Sequence, residues 1–490
     1  MLDSTYEKWL VPNHLDLAAV RFGGGDGLTL ESAFIISMPV HLLKLHHDVM
    51  NGFSYSGTFF RFAADIDLGG LAWEPIGYMG GTFDKREFSG MIDGAGHTVG
   101  SFHVNAQDGK SAGFFGYLEY AVVQNLYIKD FVIANGDSVG GLAGYADTST
   151  IASCYAEGRI TSNSSNIGGL VGLASNCVIM NSASLVTINA TDGNVAGGLC
   201  GYVYNGAKIN NCESKGELRA TNLAASGGFV GSLKDSTVEN CHAHVALLTI
   251  DCGNIGGFGG IIRNCRLDWC TSSGSVSASN EETNATAGGF VGSTNSVLTR
   301  CIASGDASKG GEIGALGGFV GDVTRGAIYS SYSIGNVMGE GFVGGFAGVA
   351  NCADDASTNI ENCYCIGNIT SNESKTMAGG FVGYMRRQGG NVIVSNCYSY
   401  GAISPKVKGF TSKESSGSIV DCVWHRDEGG VNTDGMDGRN IVSLSTKQFC
   451  DQDTFAGMGW NIYDLVGVWC YTDEIKPGRP HLNGLPVIKR

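Results

Sequence analysis

A chain of 490 residues with net charge −15 and pI near 5.1 lacks the concentrated basic face that a phosphate backbone requires, so nucleic acid is excluded as a partner. Its 76 glycines and 7 prolines would suit a disordered segment, were the glycines not periodic and separated by apolar residues. No run of about 18 apolar residues offers a membrane-spanning helix, and the opening Met1-Leu2-Asp3-Ser4-Thr5-Tyr6-Glu7 has neither the basic start nor the apolar middle of a signal peptide.

Residues 1–58 read as an N-terminal capping segment. Ser37-Met38-Pro39-Val40 offers an N-cap with proline in the first turn, and Leu42, Leu43, Leu45 and Val49 continue a helical run closed by Asn51-Gly52. Such a helix would shield the open strand edges of a first coil. His41, His46 and His47 on it are expected at the surface. Residues 59–110 turn to strands, as opening coils: Phe59-Phe60-Arg61-Phe62, Asp65-Ile66-Asp67-Leu68, Trp73-Glu74-Pro75-Ile76-Gly77, then Ile92 to Val99 around a Gly-rich turn.

From residue 111 to 425 one short pattern recurs. After Gly113-Phe114-Phe115-Gly116, copies of Gly-Gly-x-x-Gly close at Gly144, Gly172, Gly201, Gly231, Gly260, Gly292, Gly321, Gly348 and Gly383. Intervals run from 27 residues (Gly321 to Gly348) to 35 (Gly348 to Gly383). A tolerant period near thirty is the mark of a solenoid. About ten residues after the closing glycine, or beyond an insertion, stands Leu126 in the first copy and then a cysteine or serine: Cys154, Ser182, Cys212, Cys241, Cys270, Cys301, Ser331, Cys363 and Cys397, with Cys422 after a worn copy near Gly409. An apolar residue lies three before it, a small one two after, and another apolar or small one six after, from Val132, Ile160 and Ile188 to Val276 and Ile403. Such spacings put side chains on one face of short strands. The repeated glycines are then corners, where the backbone needs either a positive φ or a close approach to its neighbour. A unit of this size cannot bury its inner face alone, whereas stacked copies can. The predicted fold is all-β, a right-handed parallel β-helix of about eleven or more coils with short helical caps at both ends. The eight cysteines of the column are expected as buried free thiols, and Cys450 with Cys470 is the pair to test for a disulfide. Residues 426–490 read as a C-terminal cap, with a helical stretch near Ser445 to Asp451 and aromatics covering the last coil.

Asp65-Ile66-Asp67-Leu68, Trp73-Glu74-Pro75-Ile76-Gly77, Ile92-Asp93-Gly94-Ala95-Gly96-His97-Thr98-Val99 and the repeated Gly-Gly-Phe/Leu-Val-Gly with Asn362-Cys363-Tyr364 and Asn396-Cys397-Tyr398 resemble bacterial proteins carrying the GLUG motif, over roughly residues 59–425. That family is met in large surface adhesins and in regions attached to immunoglobulin A peptidases. The resemblance implies a right-handed β-helix at the bacterial surface more firmly than it implies an activity. No His-Glu-x-x-His occurs, so the peptidase chemistry of that association is not carried here.

Asp65, Asp67, Asp93 and His97 invite comparison with β-helix enzymes that use paired carboxylates, but aspartate before glycine is first a turn former. His242 and His244, with Glu213 one coil earlier, fall short of a sure third zinc ligand. No catalytic group, metal or cofactor is assigned. The residue after the cysteine column points outward: Tyr127, Tyr155, then Tyr332, Tyr364 and Tyr398 on consecutive coils, a strip able to stack on sugars. Insertions at Asn351 to Thr358 and Arg386 to Asn391 precede two of these strands, and Arg386 and Arg387 add a basic pair. The candidate ligand-binding set is therefore Tyr332, Tyr364, Tyr398, Arg386 and Arg387. The expected function is a non-catalytic, extracellular or cell-surface, adhesin-like or spacer β-helix, a monomer or part of a longer chain, binding a glycan or a host or partner protein. Alternatives are a carbohydrate-active β-helix enzyme, a lyase or glycoside hydrolase, and a phage or secretion-apparatus fibre.

Overall fold

The computed structural model describes residues 16–80, 84–106, 109–279, 285–311, 314–371, 377–405, 407–414, 417–426, 441–461, 469–472 and 479–486. The opening seven residues read above for a signal peptide lie outside them. The fold is a right-handed parallel β-helix with three short helices, the hand expected of parallel strands joined by crossovers. It falls into two compact units, Met1–Thr237 with Cys241–Val245, and Val238–Asn240 with Ala246–Arg490.

One coil of the first unit shows how the sequence makes the turn. The strand Ser138–Gly140 enters the Gly-Gly corner, Ala143–Asp147 leaves it, and Thr150–Ala152 and Tyr155–Ser162 complete the circuit. Val139 then pairs with Ile167, Ala143 with Val171, Ile151 with Ile179 and Tyr155 with Ala183, all in parallel. The glycines of the repeat act by close approach. A Cβ on Gly197 would stand 2.0 Å from the carbonyl oxygen of Cys200 and 2.5 Å from the amide nitrogen of Gly231. Positive φ falls elsewhere, among other places at the residue before the cysteine column: Asn125, Ser153, Asn181 and Asn211 in this unit, at φ 51 to 55°. Asparagine tolerates that region because its short amide bonds locally, and Asn211 Nδ2 donates to Asn181 Oδ1 of the coil below at 3.1 Å.

Cysteine alternates with serine for a local reason. Each turns its terminal atom back to the carbonyl two residues earlier: Cys154 Sγ to Ala152 O at 3.4 Å, Ser182 Oγ to Met180 O at 2.8 Å. The column cysteines are buried and free, and burial pushes the Cys154 thiol up to about 12. The small residue two positions on faces the glycine corner across the interior. In the first unit Ser214 Oγ donates to Gly228 O at 2.8 Å, and in the second Ser272 Oγ donates to Gly289 O at 2.6 Å. Cys450 and Cys470 are not joined in a disulfide.

One inward assignment is wrong. Val132 is 47% exposed and Ile133 is buried, because Asp130 at φ 50° inserts a bulge that shifts the register between Lys129 and Phe131. The N-terminal helix α1, Pro39–Met50, has its proline in the first turn and Asn51 as C-cap, but Met38 takes the N-cap place and no side chain caps it. His41 is buried rather than at the surface, accepting the Ser37 amide at 3.2 Å, and burial lowers its pKa. Most of the His46 side chain is buried too, with Nδ1 on the Pro75 carbonyl at 3.0 Å. The strand Phe34–Ile36, before α1, already pairs in parallel with Phe59–Phe62, so sheet pairing begins ahead of residue 59.

In the second unit the third residue of each Gly-Gly-x-x-Gly is phenylalanine. Phe258, Phe290, Phe319, Phe346, Phe381 and Phe410 form a buried ladder with centroids 4.8 to 5.0 Å apart and planes within 10°. After the last coils, Ile441–Leu444 pairs with Cys422–His425. Two helices follow, α2 (Thr446–Phe449), closed by a Ser445–Gln448 capping box, and α3 (Gln452–Gly457). The C-terminal strands Trp469–Thr472 and Arg479–Leu482 pair antiparallel. Trp469 and Leu482 of these strands, with Phe449, Phe455 and Trp460, form one buried cluster with Ile302, Ile334, Tyr332, Tyr364 and Tyr398. The cap thus reaches back over several coils instead of covering only the last.

Two substitutions test this account by chemical denaturation. Val276→Asp should cost about 3 kcal/mol or more by burying an unpaired charge, and Thr271→Asp on the half-exposed face well under 1 kcal/mol; equal losses would mean the two faces are exchanged. Tyr364→Ala should cost about 3 kcal/mol through loss of packing between ladder and cap, and an unchanged midpoint would show that the cap does not rest on the ladder.

Candidate functional site

The register places Tyr332, Tyr364 and Tyr398 where the repeat requires, as direct partners on adjacent coils. Two expectations about them fail. Their rings stack at 4.7 and 4.9 Å with planes 6° and 2° apart, so each face is occupied by the next tyrosine and not offered to a sugar. Nor are the outer edges free: all three are at most 1% exposed. Tyr332 donates to the Pro486 carbonyl, Tyr364 bonds His481 Nδ1 at 2.7 Å, and Tyr398 donates to the Pro480 carbonyl at 2.6 Å. Burial raises the pKa of Tyr332 and Tyr364 well above the ordinary phenol value. The strip binds the chain's own C-terminal segment.

The two insertions are strands, not loops. Ala347–Glu361 and Val382–Ser395 pair in parallel through them, Asn351 against Arg386 and Cys352 against Arg387, in a different sheet from the tyrosines. Two added segments of similar length in neighbouring coils satisfy each other's backbone, which single insertions cannot do. Arg386 is exposed; the Arg387 side chain lies outside the described part. Across the same face Asp322 is raised by burial, although the Thr324 hydroxyl at 2.7 Å and the Arg386 charge both act to lower it.

The aspartates of the opening coils serve the backbone. Asp65 Oδ1 accepts the Thr98 amide at 2.8 Å with His97 Nδ1 at 3.2 Å, Asp67 Oδ1 accepts Gly69 N at 2.8 Å, and Asp93 Oδ1 accepts Ala95 N and Asn125 Nδ2, both at 2.9 Å. Each is a turn cap. His244 Nε2 lies 3.2 Å from Glu213, which also holds Lys215 at 2.8 Å, and the His242 and His244 rings are 6.5 Å apart. No group of three metal-ligating side chains forms among the described residues.

A different column, overlooked in the sequence, is open. The residue immediately after the closing glycine points outward: Tyr117, Tyr145, Leu173 and Tyr202 on four consecutive coils of the first unit, in direct register. Two residues further on stand Glu119, Asp147, Ser175 and Tyr204. Tyr117 and Tyr145 lie 5.0 Å apart at 32°, Tyr202 and Tyr204 stack at 5.1 Å, and the Tyr145 and Tyr204 hydroxyls meet at 3.3 Å across two coils. Glu119 is engaged by Lys85 at 2.7 Å and by the Tyr117 hydroxyl at 3.0 Å, and Asp147 accepts the Thr148 hydroxyl at 3.3 Å. Tyr117 is buried at the head of this strip, while Tyr145, Leu173, Tyr202 and Tyr204 are half-buried. The strip offers hydroxyls with an apolar step at Leu173, chemistry suited to hydrogen-bonding a hydroxyl-rich partner.

Residues 135–161 match the family profile described as the GLUG motif, a segment that takes in one Gly-Gly corner and the strand Tyr155–Ser162 save its last residue. Over 123 residues the chain is 33% identical to a protein of Evansella cellulosilytica provisionally named a Gly-rich membrane protein, a stretch covering 24% of this chain and 13% of that one. It is 29% identical over 134 residues to halomucin of Haloquadratum walsbyi, covering 25% of this chain and 1% of that protein. The chain therefore spans only a small part of these relatives. A crystal structure from Bacteroides ovatus, provisionally named an immunoglobulin A1 protease, superposes with TM-score 0.45 at 23% identity over 56% of this chain and 86% of that one. The chain is thus a parallel β-helix whose residues 135–161 carry the GLUG motif, and its other coils repeat the same Gly-Gly corner.

Proposed function

We propose that this β-helix is a non-catalytic, adhesin-like or spacer element displayed at the cell surface or outside the cell, and that it binds a glycan or a partner protein through its outward columns. The carrying observation is the strip of Tyr145, Leu173, Tyr202 and Tyr204, repeated in register and facing outward. The relatives named as a membrane protein and as halomucin support a surface location. A further support is that Asp65, Asp67 and Asp93 are spent on backbone turns, which leaves them ill placed for paired acid and base work.

The test is a glycan array and a host-cell binding assay with the whole chain beside a Tyr145→Ala, Tyr202→Ala, Tyr204→Ala variant, together with a polysaccharide turnover assay. The expected outcome is binding that falls about tenfold in the variant, with no product released. Equal binding by the variant would move the site elsewhere, and cleavage products would make the protein an enzyme.

A further inference from the structure

Ten times among the described residues the residue before the cysteine column, or before the serine that replaces it, adopts φ between 48 and 55°, and eight of those residues are Asn, Ser or Asp. The two departures are adjacent, Trp269 and Arg300, both in the second unit. A bulky side chain is uncommon in the left-handed region, which Tyr55, Tyr120 and Arg325 also enter, but in this column it occurs at these two corners alone among the described residues. Trp269 is 37% exposed, the one tryptophan among the large exposed apolar side chains of the described residues.

The pair is built, not incidental. The Arg300 guanidinium lies 4.9 Å over the Trp269 ring. Asp268 fixes it there through both carboxylate oxygens, Nε to Oδ1 at 2.8 Å and Nη2 to Oδ2. Further basic side chains lie on this coil and on those that follow. Arg263 and Arg266, on the coil that ends in Trp269, are exposed and have no ion-pair partner among the described residues; Arg325, one coil past Arg300, meets only the exposed Asp354 at 3.4 Å. Val297, 38% exposed, stands in register with Arg266. The backbone here is closed to a β-strand ligand, because Arg266–Asp268 pairs with Val297–Thr299 and that strand with Ala327–Tyr329.

We propose that this corner binds an acidic saccharide, with a sugar ring on the open part of the indole and its carboxylate at Arg266 and the remaining Arg300 donor. The site rests on the reading of the protein as a binding element and names a ligand class for a second place on it. A flat aromatic beside a fixed guanidinium suits a pyranose bearing a carboxylate, since the ring's apolar face and the charge are met together. The strain at two consecutive corners is then kept for function.

The substitution Trp269→Asn restores the residue that the other coils prefer, so it removes the proposed platform while favouring the local fold. Titration of the whole chain with sialyllactose, a uronic-acid tetramer, lactose and a hexaglutamate peptide should show an acidic saccharide bound about tenfold tighter than lactose. Trp269→Asn and Arg266→Ala should each weaken that binding by about the same factor, with the melting temperature of Trp269→Asn unchanged or raised and the Tyr145, Tyr202, Tyr204 variant unaffected at this site. Undiminished binding by Trp269→Asn, or preference for the peptide, overturns the proposal. Binding of neutral glycans alone overturns this site but leaves the wider reading standing; silence across a full array and on cells overturns both.

Discussion

The structure depends on how closely one coil's backbone can lie against the next at the Gly-Gly-x-x-Gly corner. At Gly198 and Gly289 a β-carbon would sit 2.0 and 2.1 Å from a carbonyl oxygen of the next coil, distances that no side-chain rotation can relieve. Glycine is demanded there by proximity and not by an unusual dihedral. Once the corner is closed, much else follows from it. The facing position must be small, and serine adds a hydrogen bond to the glycine carbonyl. The corner residue between the glycines and the following strand points into the core, where phenylalanines stack at the coil spacing.

A stack so regular repeats its outer face as faithfully as its core, and the two units treat that face differently. In the second unit the column of Ile302, Tyr332, Tyr364 and Tyr398 is apolar and is buried under the chain's own cap. In the first unit the same column, Tyr127, Tyr155, Ala183 and Glu213, is exposed or half-buried, and its strands carry Lys129, Glu157, Arg159, Lys215 and Glu217 outward in a mixed, solvated pattern. Aromatic residues in a solenoid column are therefore not by themselves a binding surface. Stacking along the axis consumes ring faces, so what a ligand meets is edges and hydroxyls, except where a ring stands at a corner as Trp269 does.

The period, the fold class, the buried thiol file, and helix α1 with its proline were legible in the sequence, because each is local or repeats with the coil. Val132 was misplaced by a bulge at Asp130 that no periodic rule contains. The covered tyrosines were misread because their partners lie far along the chain, Pro486 being 154 residues from Tyr332. The insertions became strands since each found the other one coil away, a pairing visible only once both are set in register. The Tyr117, Tyr145 and Tyr202 column was readable from its fixed place after the closing glycine. So was the substitution of Asn by Trp and Arg at 269 and 300, although its meaning rests on the positive φ that the structure supplies.

The closest test of backbone approach as the governing constraint is the unfolding free energy of Gly289→Ala against Gly457→Ala. Gly457 lies at the end of α3, where an added β-carbon would have nothing within 4 Å, and alanine there should be neutral or stabilise by about 0.5 kcal/mol. At Gly289 the added methyl meets the Gly318 carbonyl, and a loss of about 3 kcal/mol is predicted. Equal stability of the two variants would contradict the account.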